Sequence, residues 1–525
     1  MKYQSGFKVL GFLVCLITAY AALAGGDPVV RALPGKPVSL DPHKFQSNAE
    51  ALIDKDLYEG LTVQDEFGNP VPGMAKSWEV SEDGRIWTFH MRDDVVWSDG
   101  KPITASDFYY SFQRLANPAI KSPHRFYLDI AGLHNSQAIS KGDLDVSHLG
   151  VNAADDKTLV ITLDHPAHWL PALLTFPAFL PVPEHIISTT ESQRGEVWAE
   201  TVGVAVSNGP YTLEGKEGGE WLLQKNPNYR DAAAVKSEQI IWKEYESITE
   251  QVEQFYMGNL HISSALPDHV RALFMADDAR QVQSSRTLST YYLLLNGEDK
   301  ELSPDVRRAL SLALDRNAIF PFGAAGDVAW ELIPPWTEGM DANNEVEKLP
   351  QYQRDQLALN ALKAAGVCED KPIELKLLST RSESQWKDSV LVQWARLPGV
   401  NVSIEKVEMQ DYIRRMNEGD YQLAFGSWIA AYNDPSAFLV LGSRRLSPRA
   451  LIGIDDGYYD EFVESMWRGG TRFYKDLQER LLLRDTLVPL AHPSNVHLVQ
   501  PAIQGFVTKN PEGWVHSARL SLQPK

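Results

Sequence analysis

The sequence has little cysteine, fewer basic than acidic residues and few long hydrophobic runs. Two cysteines among 525 residues exclude a disulfide-stabilised scaffold and a thiolate-rich metal site. The formal net charge of -19 repels phosphate backbones, so no nucleic-acid partner is expected. Charged residues interrupt every hydrophobic run after Leu23, so no transmembrane helix is predicted beyond that point.

Familiar catalytic motifs are missing as well. The chain has no G-x-S-x-G elbow, no H-E-x-x-H helix, no Walker loop and no G-x-G-x-x-G after a strand. Asp164, His165 and His168 form a cluster that could hold a metal, but the neighbouring Pro166 and Trp169 favour a turn packed on a hydrophobic core. We therefore predict that the protein is not an enzyme and has no cofactor or metal site.

The first 24 residues have the pattern of a secretory signal peptide. Lys2 and Lys8 precede an apolar run from Val9 to Leu23, which ends in an A-x-A-like sequence at Ala24. The run is shorter than the ~20 residues that a membrane span needs. We therefore predict a periplasmic protein that is cleaved near Ala24. Cleavage leaves Cys368 as its only cysteine, so an internal disulfide cannot form.

Strand and helix signals alternate irregularly along the rest of the chain, which indicates an α/β protein. The length exceeds what one hydrophobic core accommodates, so about two to four domains are expected, and no long linker separates them. The clearest local signals are the alternating Trp87, Phe89 and Met91 of a strand, a capping box of Thr104 and Asp107, a hairpin over Tyr211–Asn226, a helix start at Ser303-Pro304, and a helix over 353–365 stopped by Gly366.

One segment sets aromatic residues among small ones. Between Phe425 and Pro435, Trp428 and Tyr432 are accompanied by glycine, serine and alanine. Small residues let a backbone edge approach a ligand, while the rings form the walls of its site. Composition alone favours the other interpretation, in which these rings fill an ordinary core.

Several stretches match a family of exported receptors. They are SLDPHK (Ser39–Lys44), DLYEGL (Asp56–Leu61), the segment Ser77–Leu115, SNGPYTL (Ser207–Leu213), KNPNY (Lys225–Tyr229), VRRALSLALDR (Val306–Arg316) and YNDP (Tyr432–Pro435). Together they extend in order over nearly the whole chain after the signal peptide. The sequence therefore resembles the extracellular solute-binding proteins of family 5, the oligopeptide-binding type that serves ABC importers.

The resemblance implies a two-lobed periplasmic-binding-protein fold, type II-like and of cluster C, with hinge-linked lobes and an extra inserted domain. Lobe I would be discontinuous and comprise residues 25–62, 187–288 and 496–525. The inserted domain II would span residues 63–186, and lobe III would span residues 289–495. A monomer would close its lobes on a peptide or peptide-like ligand and deliver it to the permease of a membrane importer.

The resemblance also implies which residues hold the ligand. Peptide-binding members of the family grip extended ligands mainly through the ligand backbone. The predicted ligand-binding residues are Glu50, His124, Arg381, Trp386, Met416, Phe425, Ser427, Trp428, Ile429, Ala430, Ala431, Tyr432 and His492.

One of these positions departs from the family pattern in charge. In peptide-binding members, an aspartate just before the tyrosine of the YND segment pairs with the ligand's α-ammonium group, and Ala431 stands there. Two arginines associated with the ligand's carboxylate end align with Met416 and Phe425, although Arg414 and Arg415 lie close to the first. Burial of an ammonium group without a partner costs several kcal/mol.

Two interpretations of Ala431 follow. Either the ligand has no free α-amino group at that place, or another carboxylate, such as Glu50 or Asp434, takes over. We favour the first, which predicts a blocked, cyclic or modified peptide or a peptide-like natural product. A metal- or haem-binding receptor of the same fold, using His124, His492 or Met416, is a further alternative.

Overall fold

The computed structural model describes residues 27–194, 198–267, 270, 281–320, 326–337, 339–340, 345–381, 385–442 and 472–523. The predicted signal peptide, residues 1–24, lies outside this set. Among the described residues, no helix combines the length and apolarity that crossing a bilayer requires.

The strands of the described chain are short, apart from the 12-residue strand Leu487–Leu498. They are Val29–Ala32 (β1), Thr62–Gln64 (β2), Pro70–Pro72 (β3), Ala75–Val80 (β4), Ile86–Met91 (β5), Val151–Asp155 (β6), Thr158–Thr162 (β7), Tyr211–Glu217 (β8), Glu220–Lys225 (β9), Gln239–Lys243 (β10), Val282–Arg286 (β11), Ser289–Leu295 (β12), Gly326–Val328 (β13), Ile373–Thr380 (β14), Val400–Val407 (β15), Leu423–Ile429 (β16), Leu487–Leu498 (β17), Ile503–Gln504 (β18) and Ser521–Leu522 (β19).

The α-helices lie between these strands. They are Asn48–Leu57 (α1), Ala105–Ala116 (α2), Phe126–Ile130 (α3), Ser136–Lys141 (α4), Leu170–Leu173 (α5), Glu184–Arg194 (α6), Ile248–Tyr256 (α7), Pro304–Leu312 (α8), Arg316–Ile319 (α9), Gln351–Ala365 (α10), Gln385–Trp394 (α11), Met409–Glu418 (α12), Ser436–Leu439 (α13) and Arg472–Leu482 (α14).

The local predictions from the sequence are confirmed. α2 starts with a capping box, in which the carboxylate of Asp107 accepts a hydrogen bond from the backbone N–H of Thr104 at 2.8 Å. The predicted strand at Trp87–Met91 and the hairpin over Tyr211–Asn226 are β5 and the β8–β9 pair. The helix predicted over 353–365 starts slightly earlier, as α10, and ends as expected at a glycine in the left-handed conformation.

Three larger sheets organise the described residues. One has the order β1-β10-β9-β8, a second β4-β5-β7-β6, and a third, mixed sheet β11-β17-β12-β16-β14-β15, with β13 also on β17. The division predicted above puts the first sheet in lobe I, the second in domain II and most of the third in lobe III. We keep that division as a proposal.

The long strand β17 crosses the predicted boundary between residues 495 and 496. Its first part pairs with β12, whereas its last part, Ser494–Leu498, pairs with β11. Just beyond its end, Val499 bridges to Ile262, which in turn bridges to Arg31 of β1. A continuous two-stranded ribbon therefore links the third sheet to the first, and the boundary falls inside a regular strand.

The third sheet has a hydrophobic core on each of its faces. Along β16, Leu423 and Phe425 belong to the core shared with α8, α10 and α11, whereas Ala424 and Trp428 belong to the core that also includes the first two sheets. This alternation follows the two-residue period of a strand. β16 and the segment after it therefore lie where the third sheet meets the rest of the molecule.

Cys368 lies three positions after the end of α10, within the predicted lobe III. Its side chain is exposed and its thiol is free. The backbone N–H of Lys371 donates to its carbonyl at 2.9 Å, which places it in a tight turn.

Candidate ligand-binding cleft

β16 offers an unpaired backbone edge over its second half. It pairs with β12 along its whole length, but on its other side β14 pairs only with Leu423 and Ala424. The N–H of Ala430 donates to the carbonyl of Leu288, next to β12, at 2.8 Å. Because successive residues of a strand direct their polar groups to opposite sides, those of Ser427 and Ile429 point to the edge that no strand of the described chain occupies.

The side chains along this edge are well suited to contact with a ligand. Ser427 is exposed, and Ile429 is 59% exposed although it is a large hydrophobic residue. At the other end of the edge, the carbonyl of Phe425 accepts a hydrogen bond from the hydroxyl of Tyr412. The accessible part of the edge is therefore limited to the last residues of β16.

Packing explains one small residue of this segment. An added Cβ at Gly426 would lie 2.1 Å from the ring of Tyr292, so the glycine makes room for a buried aromatic residue. Trp428 is also a core residue, since its side chain is buried and its indole N–H donates to the carbonyl of Ala437 at 2.7 Å. Gly426 and Trp428 therefore serve the packing of the hydrophobic core, whereas the side chains of Ser427 and Ile429 face outward.

The residues after β16 form a buried, hydrogen-bonded turn. Ala430 and Ala431 are buried. The carboxylate of Asp434 accepts a hydrogen bond from the N–H of Ser436 at 2.8 Å, and the hydroxyls of Ser436 and Tyr432 lie 3.0 Å apart. Burial and the neighbouring Asp434 raise the pKa of Tyr432 well above its usual value, so its hydroxyl stays neutral.

This turn contacts the segment predicted to form domain II. The rings of Trp169 and Tyr432 stack with centroids 6.4 Å apart. Beside them, Nε2 of His168 lies 3.1 Å from Oδ2 of Asp434. The turn after β16 and the segment predicted to form domain II are therefore in direct contact.

A second group of aromatic residues includes the predicted ligand contact His124. Its imidazole stacks on Phe45 with centroids 3.8 Å apart, and its Nε2 lies 2.8 Å from the carbonyl oxygen of Phe45. Tyr127 and Phe176 extend the group. His124 is thus held in place by the loop that precedes α1.

Trp386 and Phe425 form a third group with Tyr291. The ring of Trp386 stacks on Tyr291 at 5.6 Å and meets Phe425 edge-on at 4.9 Å. Nζ of Lys387 lies 5.6 Å from the centroid of Phe425, and burial, together with the nearby Lys406, lowers the pKa of this ammonium group. A basic group therefore sits over the ring that occupies an arginine position of the family pattern.

Glu50 forms the capping box at the start of α1 together with Ser47. Its side chain is fully buried, and its two carboxylate oxygens accept hydrogen bonds from the backbone N–H groups of Val38, Ser39, Gln46 and Ser47 at 2.6–3.4 Å. The hydroxyl of Ser47 adds another at 2.7 Å. The predicted ligand contact is instead a support for the loop that carries Phe45.

The remaining predicted residues are dispersed. His492 is buried, with Nδ1 3.0 Å from the hydroxyl of Thr290, and burial lowers its pKa to about 4. Met416 is buried on α12. Arg381 is exposed and pairs with the exposed Glu408 at 2.9 Å. Arg381 and His492 lie on other elements, whereas Met416 shares a hydrophobic core with Trp428, Ala430 and Ala431.

The metal cluster considered in the sequence is divided between two imidazole–carboxylate contacts. Asp164 pairs with His134 at 2.6 Å, whereas His168 reaches across to Asp434. Among the described residues, no group of three or more His, Cys, Asp or Glu side chains is arranged to hold a metal ion.

Similarity to known proteins settles the family. Residues 69–444 match the model described as bacterial extracellular solute-binding proteins, family 5 Middle. The chain belongs to this family. As a family 5 protein it is a solute-binding receptor and not an enzyme.

Two curated relatives cover nearly its whole length. The periplasmic murein peptide-binding protein MppA of Escherichia coli (strain K12) is 32% identical, over 99% of this chain and 99% of the relative. The periplasmic oligopeptide-binding protein OppA of Salmonella typhimurium is 31% identical, over 95% of each. A solved structure of the Escherichia coli murein tripeptide binding protein MppA superposes with a TM-score of 0.84, at 29% identity, covering 96% of this chain and 100% of that one. The two-lobed fold of this family 5 protein is thereby confirmed.

A cavity of about 290 Å³ lies elsewhere in the receptor, beside α1 and the β2–β3 hairpin. None of the predicted ligand-binding residues lines it. Its acidic Glu59 already accepts hydrogen bonds from Arg230 and Tyr229, and Nζ of its Lys55 lies 4.1 Å from the ring of Trp514. Glu59 and Lys55 of this cavity are therefore already engaged by protein partners.

Sequence reasoning did not select several residues that contact predicted ligand-binding residues or the turn after β16. Tyr291, Lys387 and Trp169 were not selected, and His168 was noted only as a possible metal ligand. The sequence contains one signal for Lys387, because this residue directly follows Trp386, a predicted ligand contact. No signal connects His168 with Asp434, because 266 positions separate them.

Proposed function

We propose that this protein is a periplasmic receptor that captures a peptide or peptide-like ligand along β16 and delivers it to an ABC importer. The ligand carries no free α-ammonium group at the position facing Ala431. The single observation that carries this proposal is the open edge at Ser427 and Ile429, next to a turn whose only carboxylate is already engaged.

The open edge supports recognition through the ligand backbone. An extended chain can add to an exposed strand edge through main-chain hydrogen bonds, while pockets for alternate side chains give selectivity. The polar groups of Ser427 and Ile429 have the direction that such pairing requires. A peptide, or a molecule with peptide-like amides, fits this edge. The printed name of the relative MppA, a murein peptide-binding protein, supports the same class of ligand.

The engaged carboxylates support a blocked ligand. Of the two acidic residues that could replace the missing aspartate, Glu50 is enclosed by backbone donors, and Asp434 bonds to Ser436 and His168. A ligand ammonium next to Ala431 would therefore be desolvated without a partner, at a cost of several kcal/mol. Acylation, cyclisation or modification of the ligand's amino group removes that cost.

The other features of the proposal follow the family fold. Lobe I, domain II and lobe III have the boundaries predicted above, and the contacts of Trp169 with Tyr432 form as the lobes close. We propose a monomer without nucleic-acid partners, exported by a signal peptide that is cleaved near Ala24.

Calorimetric titration of the exported protein with tri- to pentapeptides, each in free and N-acetylated form, tests the proposal. We expect binding of acetylated peptides in the micromolar range or tighter, and much weaker binding of the free forms. Tight binding of the unmodified peptides would overturn the blocked-ligand proposal. An absorption spectrum and a metal analysis of the same protein distinguish the peptide receptor from the alternative, a metal- or haem-binding receptor.

A further inference from the structure

The contact between His168 and Asp434 joins the two sides of the cleft. His168 belongs to the predicted domain II, whereas Asp434 belongs to the turn that follows β16 in lobe III. The neighbouring residues Trp169 and Tyr432 stack across the same junction. Opening of the lobes would separate both pairs, so the imidazole–carboxylate contact belongs to the closed form.

Both oxygens of the Asp434 carboxylate have donors in this form. Oδ1 accepts from the N–H of Ser436 at 2.8 Å, and Oδ2 lies 3.1 Å from the ring nitrogen of His168. The imidazole nitrogen must be the donor, because a carboxylate oxygen can only accept. The Asp434 side chain is 11% exposed and that of His168 is 58% exposed, so the imidazole covers the acid from the solvent side.

We propose that His168 is a specificity-determining residue of the cleft, which occupies Asp434 on closure and thereby excludes ligands with a free α-ammonium group. This inference rests on the proposed function and adds the residue that enforces it. Asp434 lies three positions after Ala431, so it is the nearest acid in sequence that an ammonium at Ala431 could use. An ammonium that approached Asp434 would have to displace the imidazole, and the contact that favours closure would be lost.

The strength with which free-amine ligands are excluded depends on the hydrogen bond between His168 and the Asp434 carboxylate. Hydrogen bonds to charged groups contribute about 1.5–3 kcal/mol, which corresponds to about 10-fold to 100-fold in affinity. Removal of the imidazole should therefore shift the preference between free and acetylated forms of one peptide by about 10-fold or more.

The experiment uses the exported full-length protein and a pooled set of tri- to pentapeptides, each present in free and N-acetylated form. Retained peptides are quantified by mass spectrometry after equilibrium dialysis, so that each sequence is its own internal pair. We compare the wild type with His168→Ala, with His168→Gln, which keeps an N–H donor, and with His134→Ala as a matched control. His134 forms a similar pair with Asp164, but both partners lie within the same predicted domain.

We expect the wild type and His134→Ala to retain acetylated forms, His168→Ala to shift toward free forms, and His168→Gln to stay close to the wild type. If His168 had only a structural role, its loss would weaken the binding of free and acetylated peptides equally, and the ratio of the two bound forms would not change. An unchanged ratio in His168→Ala, with peptides still bound, overturns the inference but leaves the proposed function intact. If no peptide of either form binds any of the proteins, both the proposed function and the inference are overturned.

Discussion

The two walls of the cleft differ in how they use charge. Behind the wall that carries Phe45 and His124, Asp41 and Arg114 form an ion pair at 2.6 Å, with side chains only 1% and 4% exposed. The proposed opposite wall, from β16 to the turn after it, has Asp434 as its one acid, and Ala430 and Ala431 lie close to it in sequence. A buried ion pair therefore supports the first proposed wall, whereas the second has an open backbone edge with neutral side chains.

The buried charges of the first wall have distinct states. Burial favours the neutral form of Asp41, but the charge and hydrogen bonds of Arg114 outweigh it and hold the pKa of Asp41 below its usual value. Burial and the nearby Arg114 lower the pKa of His43 to about 3, so this imidazole is neutral. A buried ion pair contributes little by itself, but loss of one partner is costly because the other is left without compensation.

The largest predicted effect breaks the first wall. Arg114→Met should lower the free energy of unfolding by about 3–5 kcal/mol, because Asp41 then remains buried and unpaired. Urea unfolding followed by circular dichroism measures this loss. The matched control is Lys76→Met, which removes an exposed pair with Asp93 and should leave the free energy of unfolding almost unchanged. Equal effects of the two substitutions would contradict the assignment of a structural role to Arg114.

The second wall should gain affinity for free-amine peptides when an acid is introduced at position 431. Ala431→Asp should strengthen the binding of free-amine peptides by about 10-fold or more, since a charge-assisted hydrogen bond contributes about 1.5–3 kcal/mol. Calorimetric titration with matched free and acetylated peptides measures the change. Ala430→Asp, at the neighbouring buried position, is the control and should give no such gain. Equal responses of the two variants would show that position 431 does not face the ligand's terminus.

A smaller effect is expected from Asp54, a buried acid on α1. Both of its carboxylate oxygens are buried without a hydrogen-bond partner among the described residues, and burial together with Asp41 raises its pKa well above the usual value. Its destabilising effect is therefore absent below the unfolded-state pKa of about 4 and grows as the pH rises toward the folded-state pKa. Asp54→Asn should raise the free energy of unfolding at pH 8, because it removes a carboxylate whose charged form is costly to bury.

Urea unfolding at pH 4 and pH 8 tests the sign of this effect. The gain of Asp54→Asn should disappear at the lower pH. Asp56→Asn is a suitable control on the same helix, because Asp56 accepts hydrogen bonds from Trp242 at 2.9 Å and Ser517 at 2.6 Å and should lose stability on substitution. A pH-independent gain for Asp54→Asn would contradict the raised pKa.

The smallest predicted effect concerns Lys387, which adds positive charge near the otherwise neutral second wall. Lys387→Met should weaken binding of peptides with a free C-terminal carboxylate by a few-fold, about 0.5–1 kcal/mol, and leave their C-terminal amides unchanged. Competition binding with the two forms measures the difference, and Lys406→Met is the control. A similar loss for acids and amides would show that Lys387 supports packing against Phe425 only.

Features set by neighbouring residues could be predicted from the sequence. The capping box of Thr104 and Asp107 and the end of α10 at Gly366 depend on a few adjacent positions. The extent of the family resemblance also followed from ordered motifs, and the family match confirms it. These predictions needed no knowledge of how distant segments meet.

The contacts that shape the cleft could not be predicted in the same way. Glu50 was expected to face the ligand, but the backbone donors that enclose it become visible only in the folded loop. The pair of His168 and Asp434 and the group around Trp386 depend on the packing of separate elements. The continuity of β17 through the expected boundary likewise depends on its two different partner strands.

The exposed thiol of Cys368 makes the closing motion experimentally accessible. No other cysteine follows the predicted cleavage point, so a maleimide dye or spin label attaches at one position without prior mutation. The turn that carries Cys368 follows α10 within the predicted lobe III, and the side chain projects into solvent. A single engineered cysteine in domain II would then complete a donor–acceptor pair for fluorescence energy transfer between the lobes.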